Sequence, residues 1–424
     1  MKISSIDAFQ IFDSRGFPTV EARVELDDGT EGRGLVPSGA STGQFEAHEL
    51  RDGDPKRFLG KSVLTAIEHV EKEIAPLLKG LDVNDQQGID QQMIELDGTP
   101  NKSRLGANAI LGVSMAVANA AAAAHNQPLF EYLGQGKGTL LPLPEIQLIG
   151  GGAHASWRTD IQDFLLIAIG AKTYSETLEM TFNVFHTAAR LLKKRNTLAG
   201  VADEGGYWPT FSRHAEILDF MVEAIEAAGY QPGVDLGISL DVAASDLFNK
   251  EQGLYKLPLD EASYTPDEFI DLQASWCSKY PIVSIEDPLV DDDWAGWQKF
   301  NQRLGGKIQL IGDDLFTTNP DRIQKGIEEG VANAVLIKLN QVGTVSETIE
   351  AIRLTQSAGW NPVVSARSGE TEDAFISHLA VATNAGQLKV GSFSRSERMV
   401  KWNEVLRIQR ILGDRGEFKG GILF

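Results

Sequence analysis

The chain has 424 residues, of which 42% are hydrophobic and 23% charged, a composition that suits a large folded core and excludes extended disorder. Its formal net charge of −20 argues against nucleic acid or an anionic membrane surface as a partner. The one cysteine, Cys277, cannot form an internal disulfide, and the first residues carry charges where a secretory signal would be apolar. We therefore expect a cytoplasmic protein.

The N-terminal third of the chain has an α+β pattern. Residues 20–26 have strand character, and helical periodicity runs through residues 55–78 and 108–124. The alanine-rich run within the second stretch is shorter than the roughly 20 residues that a membrane helix needs, so we interpret it as a buried helix. A glycine-rich segment at 134–138 predicts a linker. We expect an N-terminal domain over residues 1–136 and a second domain over residues 139–424.

After the linker, short apolar strands alternate with amphipathic helices. The clearest predicted strands are residues 237–241, 282–286, 308–313, 334–338 and 361–365, and helical stretches follow the third and fourth of them. Repeated strand-helix units are typical of a (β/α) barrel, an α/β fold whose functional groups lie at the carboxyl ends of the strands.

Four of these strands end in a charged residue. Asp241, Glu286 and Asp313 close three of them, and Lys338 closes the next. A barrel would bring these ends to one mouth, where carboxylate oxygens favour Mg²⁺ or Mn²⁺ over Zn²⁺. A lysine in a dry site beside a cation can act as a base. Taken singly, each acid is better explained as a helix cap and the lysine as a surface residue, but together they favour a site.

Three loops offer weaker candidates. The segment Asp203-Glu204-Gly205-Gly206 can present Glu204 as a general acid, but it can equally be a turn capped by Asp203. His154 follows a run of three glycines, and Ser41 lies in a loop of small and hydroxyl residues that can reach a metal or a phosphate oxygen. An ordinary flexible loop explains these last two as well.

Several sequence blocks resemble those of the enolase family, in the family's order and over essentially the whole chain. They are residues 13–16, 37–43, 203–207, 284–287, 312–316, 367–373 and 392–396. The resemblance implies a modified (β/α)₈ TIM-type barrel with a smaller N-terminal α+β capping domain. It also implies a Mg²⁺-dependent lyase that takes the α-proton of 2-phosphoglycerate, or a close analogue, and eliminates water to give a phosphoenolpyruvate-type product.

The same resemblance implies a role for each site residue. Lys338 would be the base, and Glu204 the acid that helps the β-hydroxyl leave. Asp241, Glu286 and Asp313 would bind one Mg²⁺, and Ser41 would help to bind a second. The substrate-binding residues would be His154, Gln162, Asp163, Arg367, Ser368 and Lys389, of which Arg367 and Ser368 would grip the phosphate and Lys389 the carboxylate.

Some residues depart from the enolase pattern. Ala366 stands where the family has histidine and Asp163 where it has glutamate, while Phe17, Gln147 and Gly150 stand where it has asparagines. The positions of the base and the metal ligands are retained, so proton abstraction is expected to be intact and elimination altered. Retracting a carboxylate by about one methylene can cost about 100-fold in rate. Several independent changes favour natural divergence over an engineered substitution at position 366.

Two alternatives to an ordinary enolase follow from these departures. One is an enolase paralogue of phosphonate metabolism, similar to a carboxyphosphonoenolpyruvate synthase, in which Arg158 or a neighbour meets an extra charge on the substrate; Trp157 and Trp208 lie with Arg158 in loops beside the site. The other is a non-catalytic enolase-like binding protein. The retained buried charges oppose it, because a scaffold has no need of groups that are costly to desolvate.

The expected partners are a small anionic phosphorylated or phosphonylated substrate and further copies of this chain, with neither nucleic acid nor membrane. Enolases form dimers through a glutamate and an arginine that match Glu21 and Arg407. Arg410 stands where the family has an acid that meets the arginine matching Arg15. We expect a homodimer or a higher homo-oligomer built on the remaining contacts.

Overall fold

The computed structural model describes residues 1–40 and 43–421. Its N-terminal part is an antiparallel meander packed against helices. The strands are β1 (Ile3–Phe12), β2 (Pro18–Leu26) and β3 (Glu31–Leu35), and the helices are α1 (Leu64–His69), α2 (Ala75–Leu78), α3 (Gln86–Asp97), α4 (Ala107–Ala124) and α5 (Leu129–Leu133), with a π-helical turn at Val70–Ile74.

Helix α4 is the alanine-rich helix that the sequence predicts, and it lies directly on the sheet. Gly32 and Gly34 of β3 permit this contact, because a Cβ on either would lie 2.2 Å from the backbone of the helix. By length and composition α4 could cross a membrane, but 83% of it is buried in the protein. It is therefore a core helix.

The predicted helix over residues 55–78 is wrong in its first part. Phe58 and Leu59 have φ angles of 48° and 54°, which a helix cannot contain, and α1 begins at Leu64. The Asp52 carboxylate accepts hydrogen bonds from the N–H groups of Leu64 (3.1 Å) and Thr65 (2.9 Å). The start of the helix is fixed by a cap twelve residues away along the chain.

The second part of the chain is a barrel with the fold class that the resemblance implies. Within the described residues, eight strands close it in the order β10-β11-β12-β13-β14-β4-β5-β6, and three others form a small side sheet. The strands are β4 (Leu143–Gly150), β5 (Asp163–Ile167), β6 (Gly237–Asp241), β7 (Phe248–Asn249), β8 (Leu254–Leu257), β9 (Ala262–Tyr264), β10 (Ile282–Glu286), β11 (Gln309–Gly312), β12 (Ala334–Ile337), β13 (Asn361–Ser365) and β14 (Gln387–Ser392). All five predicted strands are confirmed, with ends that differ by at most one residue.

The outer helices follow the strands in the manner expected of a TIM-type barrel. They are α6 (Tyr174–Lys194), α7 (His214–Ala227), α8 (Ala244–Leu247), α9 (Pro266–Lys279), α10 (Trp294–Leu304), α11 (Pro320–Glu329), α12 (Leu339–Val342), α13 (Val345–Ser357), α14 (Phe375–Ala382) and α15 (Ser396–Leu412). The barrel departs from the regular type at β5, which pairs antiparallel with both β4 and β6.

The N-terminal part caps one helix of the barrel. At the start of α13, the N–H of Val345 donates to Ser114 Oγ and the N–H of Ser346 to Asp90 Oδ2, both at 3.0 Å. Lys102 Nζ lies 2.8 Å from Glu347 Oε1 in the same turn. These contacts fix the N-terminal part to the barrel.

Candidate active site

The predicted charged residues meet at one mouth of the barrel. Asp241 and Glu286 end β6 and β10, and Asp313 and Lys338 directly follow β11 and β12. Lys389 lies within β14. Because these strands are parallel, their carboxyl ends share a rim, and the side chains converge there.

Lys389 lies between two of the carboxylates. Its Nζ is 2.9 Å from Asp241 Oδ2 and 2.7 Å from Glu286 Oε2. Burial opposes the charged form of Lys389, but the charges of Asp241 and Glu286 outweigh it and raise its pKa well above the usual value. Burial also disfavours ionised Asp241, and the Lys389 charge reverses this and holds its pKa at about 2. The structure thus pairs a predicted substrate-binding lysine with two predicted metal ligands.

Lys338 Nζ forms an ion pair with Asp313 Oδ2. Burial lowers the pKa of Lys338, but the Asp313 charge outweighs it and the net shift is upward. Gln341 Nε2 donates to the other oxygen of Asp313 at 2.9 Å. This pairing favours the protonated form of Lys338, so the ammonium must give up its proton before Lys338 can act as a base.

The mouth of the barrel suits a hard divalent cation. Among the described residues, Glu286 Oε1 is buried without a hydrogen-bond partner, and burial raises the pKa of Glu286 well above its usual range. A carboxylate in this state gains from a cation. The ligand atoms of the predicted ligands Asp241, Glu286 and Asp313 do not all lie within 4.8 Å of one another. Those of Asp287, Asp313 and Asp314 do.

A second group of titratable side chains comes from two loops and from the start of β5. His154, Asp163 and Glu204 present ligand atoms within 4.8 Å of one another, and all three side chains are buried. Asp163 reaches the mouth although it begins its strand, because antiparallel β5 starts where its neighbours end, in register with Gly150 and Asp241.

The electrostatics of this group favour a shared proton. Burial raises the pKa of Glu204, against the lowering effect of the His154 charge. Burial opposes the charged form of His154, but the Asp163 and Glu204 carboxylates outweigh it and raise its pKa. His154 Nδ1 lies 3.6 Å from Asp163 Oδ1. The raised pKa values of Glu204 and His154 both favour a proton held within this group.

Arg367 and Ser368 lie opposite this group, on the segment after β13. The guanidinium of Arg367 pairs with Glu46 Oε2 and donates to Asn340 Oδ1, each at 2.9 Å. Ser368 Oγ accepts a hydrogen bond from the N–H of Ala40 at 2.7 Å. The N-terminal loop therefore forms one wall of the site.

The predicted residues enclose a narrow cavity of about 20 Å³, little more than the space of one water molecule. All eight predicted catalytic and substrate-binding residues line it: Lys338, Glu204, His154, Gln162, Asp163, Arg367, Ser368 and Lys389. Ala366 lines it too. The structure brings the predicted set together, and their roles stay predictions. Ser41, the predicted ligand of a second cation, lies outside the described residues.

Two contributors were missed by the sequence argument. Glu46 pairs with Arg367, and Gln147 of β4 contacts Asp163 and the Glu204 loop. Gln147 left a signal, because it is a polar residue within the otherwise apolar stretch Ile146 to Ile149 of a barrel strand. Glu46 left none, since acids are common in N-terminal loops.

Arg158 is not among the residues that line the cavity. Its guanidinium lies over the Trp208 ring, 5.0 Å from the centroid, and donates to Thr210 Oγ1 at 3.4 Å. The neighbouring Trp157 is half exposed. The arrangement is a stacked loop contact.

Comparison with known proteins gives matches over nearly the whole chain. Residues 3–133 match the family described as "Enolase, N-terminal domain", and residues 138–423 match "Enolase, C-terminal TIM barrel domain". The chain is 56% identical over 418 residues to a protein named Enolase 1 from Desulfitobacterium hafniense (strain Y51), covering 98% of this chain and 95% of that protein.

Proposed function

This chain belongs to the enolase family, and on that premise we propose that it is a lyase that removes water from 2-phosphoglycerate to give phosphoenolpyruvate. The observation that carries the proposal is the 56% identity, over 98% of the chain, to a protein named Enolase 1. The retained lysines and carboxylates at the barrel mouth support the same reaction.

Lys338 is the proposed base. Removing a proton next to a carboxylate creates a second negative charge, so the base must lie in a site rich in cationic groups. Lys338 lines the cavity, and so do Lys389 and Arg367. Lys389 is proposed to hold the substrate carboxylate, and Gln162, which donates to Asp241 Oδ2 at 3.0 Å, to complete that wall.

Glu204 is the proposed acid for the second half of the reaction. As the bond between the β-carbon and its hydroxyl breaks, the leaving oxygen must gain a proton and depart as water. Burial raises the pKa of Glu204, which favours the protonated form that can donate. His154 and Asp163, whose ligand atoms lie within 4.8 Å of those of Glu204, are proposed to hold the leaving end of the substrate.

Asp241, Glu286 and Asp313 are the proposed ligands of Mg²⁺. They are oxygen donors, which Mg²⁺ prefers, and the unpartnered Glu286 Oε1 supports a cation there. When bound, the cation neutralises these carboxylates and stabilises negative charge on the substrate carboxylate. Ser41 is the proposed ligand of a second Mg²⁺ that arrives with the substrate.

Arg367 and Ser368 are proposed to bind the phosphate. A guanidinium fork suits the geometry of a phosphate. Because Arg367 pairs with Glu46, the substrate must compete with that carboxylate for the guanidinium.

The phosphonate alternative is not favoured. It invoked Arg158 or a neighbour to meet an extra charge on the substrate, but Arg158 stacks on Trp208, and neither residue lines the cavity. We propose that the protein acts in the cytoplasm as a homodimer. Within the described residues, Glu21 has a long ion pair with Arg33, at 3.7 Å. Arg407 pairs with Glu404, three residues earlier in the same helix, at 2.7 Å.

The proposal is tested by NMR in D₂O with 2-phosphoglycerate and Mg²⁺. We expect phosphoenolpyruvate to form, deuterium to enter the α-position of the remaining substrate, and both processes to stop with a chelator and resume with added Mg²⁺. A phosphonate analogue of the substrate is the matched comparison. Faster turnover of that analogue, or no exchange and no elimination with 2-phosphoglycerate, would contradict the proposal.

A further inference from the structure

Gln147 uses both ends of its side-chain amide in the site. It is fully buried, and its Oε1 accepts a hydrogen bond from the N–H of Gly206 at 2.7 Å. Its Nε2 donates to Asp163 Oδ1. Gly206 lies two residues after Glu204. One side chain thus connects the Asp163 carboxylate with the loop that carries Glu204.

Two glycines leave the space that this amide occupies. A Cβ on Gly206 would lie 2.5 Å from Gln147 Oε1, and a Cβ on Gly150 would lie 3.3 Å from Gln147 Nε2 and 2.5 Å from Ala202 Cβ. Gly150 also donates its N–H to Tyr207 O at 2.9 Å, which ties the Glu204 loop to the end of β4. The absence of a Cβ at Gly150 and Gly206 therefore leaves room for the long side chain of Gln147.

The bond to Gln147 also orients the other oxygen of Asp163. Because Oδ1 is engaged, Oδ2 is the oxygen left for the cavity, and among the described residues it has no hydrogen-bond partner. The nearest cation to it is Lys389 Nζ at 4.0 Å. Asp163 Oδ2 is therefore available to accept a hydrogen bond from a substrate hydroxyl or a water in the cavity.

We propose that Gln147 is a positioning residue that holds Asp163 and the Glu204 loop at a fixed separation for the elimination step. This inference rests on the proposed function. It also unites three departures from the enolase pattern, since Gln147 is one methylene longer than asparagine and Asp163 one methylene shorter than glutamate. Gly150, in place of a further asparagine, frees space beside the amide. In this proposal, the methylene gained at Gln147 compensates for the one missing at Asp163.

The test is a length-exchange cycle in the full chain: Gln147→Asn, Asp163→Glu and the double variant, assayed with 2-phosphoglycerate and Mg²⁺. Each single variant should lower kcat by about 10- to 100-fold with a smaller change in KM, because the contact becomes too short or too crowded. The double variant should return to within about threefold of the wild type. Losses that simply multiply in the double variant, or a Gln147→Asn variant with unchanged kcat, would overturn the inference.

Two further variants separate positioning from folding. Gln147→Met keeps the length and removes both hydrogen bonds, so it should lower kcat and Asp163→Glu should not rescue it. Gln309→Asn is the matched control, because Gln309 is a buried barrel glutamine that bonds Glu145 and Gln387 at the other ends of the strands. We expect it to lower the melting temperature and leave kcat within about twofold.

A measurement that does not depend on activity keeps this inference apart from the proposed function. The Gly206 N–H donates to Gln147, so hydrogen exchange in residues 201–208 should be faster in Gln147→Met than in Gln309→Asn. If the wild type fails to dehydrate 2-phosphoglycerate while this exchange difference is present, the proposed function fails and the connection to the loop stands. If exchange is unchanged, the connection fails whatever the activity.

Discussion

Asp90 of α3 accepts a hydrogen bond from the backbone N–H of Ser346, which opens a helix of the barrel, at 3.0 Å. The carboxylate is buried, and burial raises its pKa to about 6. A group that links two parts of the molecule thus titrates in a range that experiments reach easily.

We expect Asp90→Asn to change how stability depends on pH. The pKa of Asp90 is higher in the folded protein than in the unfolded chain, so the folded state binds more protons between about pH 4 and 6, and the stability that this provides is lost as pH rises. A difference of about two pKa units corresponds to roughly 3 kcal/mol. Urea unfolding at pH 4, 5.5 and 7 should show the variant gaining about 2–3 kcal/mol on the wild type across this range. A difference that does not vary with pH would exclude Asp90 as the source.

Lys401→Met should destabilise the protein strongly. Lys401 is buried, and its Nζ lies 2.8 Å from Glu370 Oε2 and 2.7 Å from Thr371 O. Removing one partner of a buried ion pair leaves the other charge unpaired, at a cost of about 3–5 kcal/mol. The control is Lys299→Met, which breaks an exposed pair with Asp267 and should change little. Similar unfolding midpoints in urea for the two variants would show that burial does not set the cost.

Lys338→Ala should lower kcat by about 100- to 10,000-fold, the usual contribution of a general base. Lys338→Arg should fare little better, because arginine keeps the charge beside Asp313 and does not give up its proton. Lys325→Ala, at the surface of α11, is the control. Exchange of the α-proton in D₂O is the decisive measurement, and exchange at wild-type rate in Lys338→Ala would assign the base elsewhere.

Gly391→Ala should disturb the Glu204 loop. Gly391 has φ +116°, and a Cβ there would lie 2.9 Å from Glu204 O. Gly229 has φ +89° with nothing within 4 Å, so Gly229→Ala carries the backbone strain without the collision. Both variants should lose stability, by about 1–3 kcal/mol. Only Gly391→Ala should also lower kcat, by about tenfold or more; equal kcat values would mean that the loop tolerates the shift.

Five of the barrel strands could be predicted because their apolar runs end in polar or charged residues. Asp241 and Glu286 each close a run that the structure confirms as a strand. The position of Asp163 could not be reached in this way, since it begins its strand and periodicity does not give strand direction. Only the family resemblance pointed to it.

Long-range hydrogen bonds account for the other misses. Asp52 fixes the start of α1 from twelve residues away, so local propensity placed the helix too early. Glu46 meets Arg367 across 321 residues of sequence. Gln147 reaches Gly206 across 59 residues. Such partners become visible only when the chain is folded.

The position of Lys389 between Asp241 and Glu286 has a consequence for the protein without its cation. Lys389 acts as a counterion inside the barrel, so the two carboxylates stay paired when no divalent ion is bound. In the proposed function, Mg²⁺ would replace Lys389 as the counterion of these carboxylates, and Lys389 would then be available to the substrate carboxylate. Chelation should lower the melting temperature by no more than binding of the ion contributes, because Lys389 keeps Asp241 and Glu286 paired in the ion-free protein.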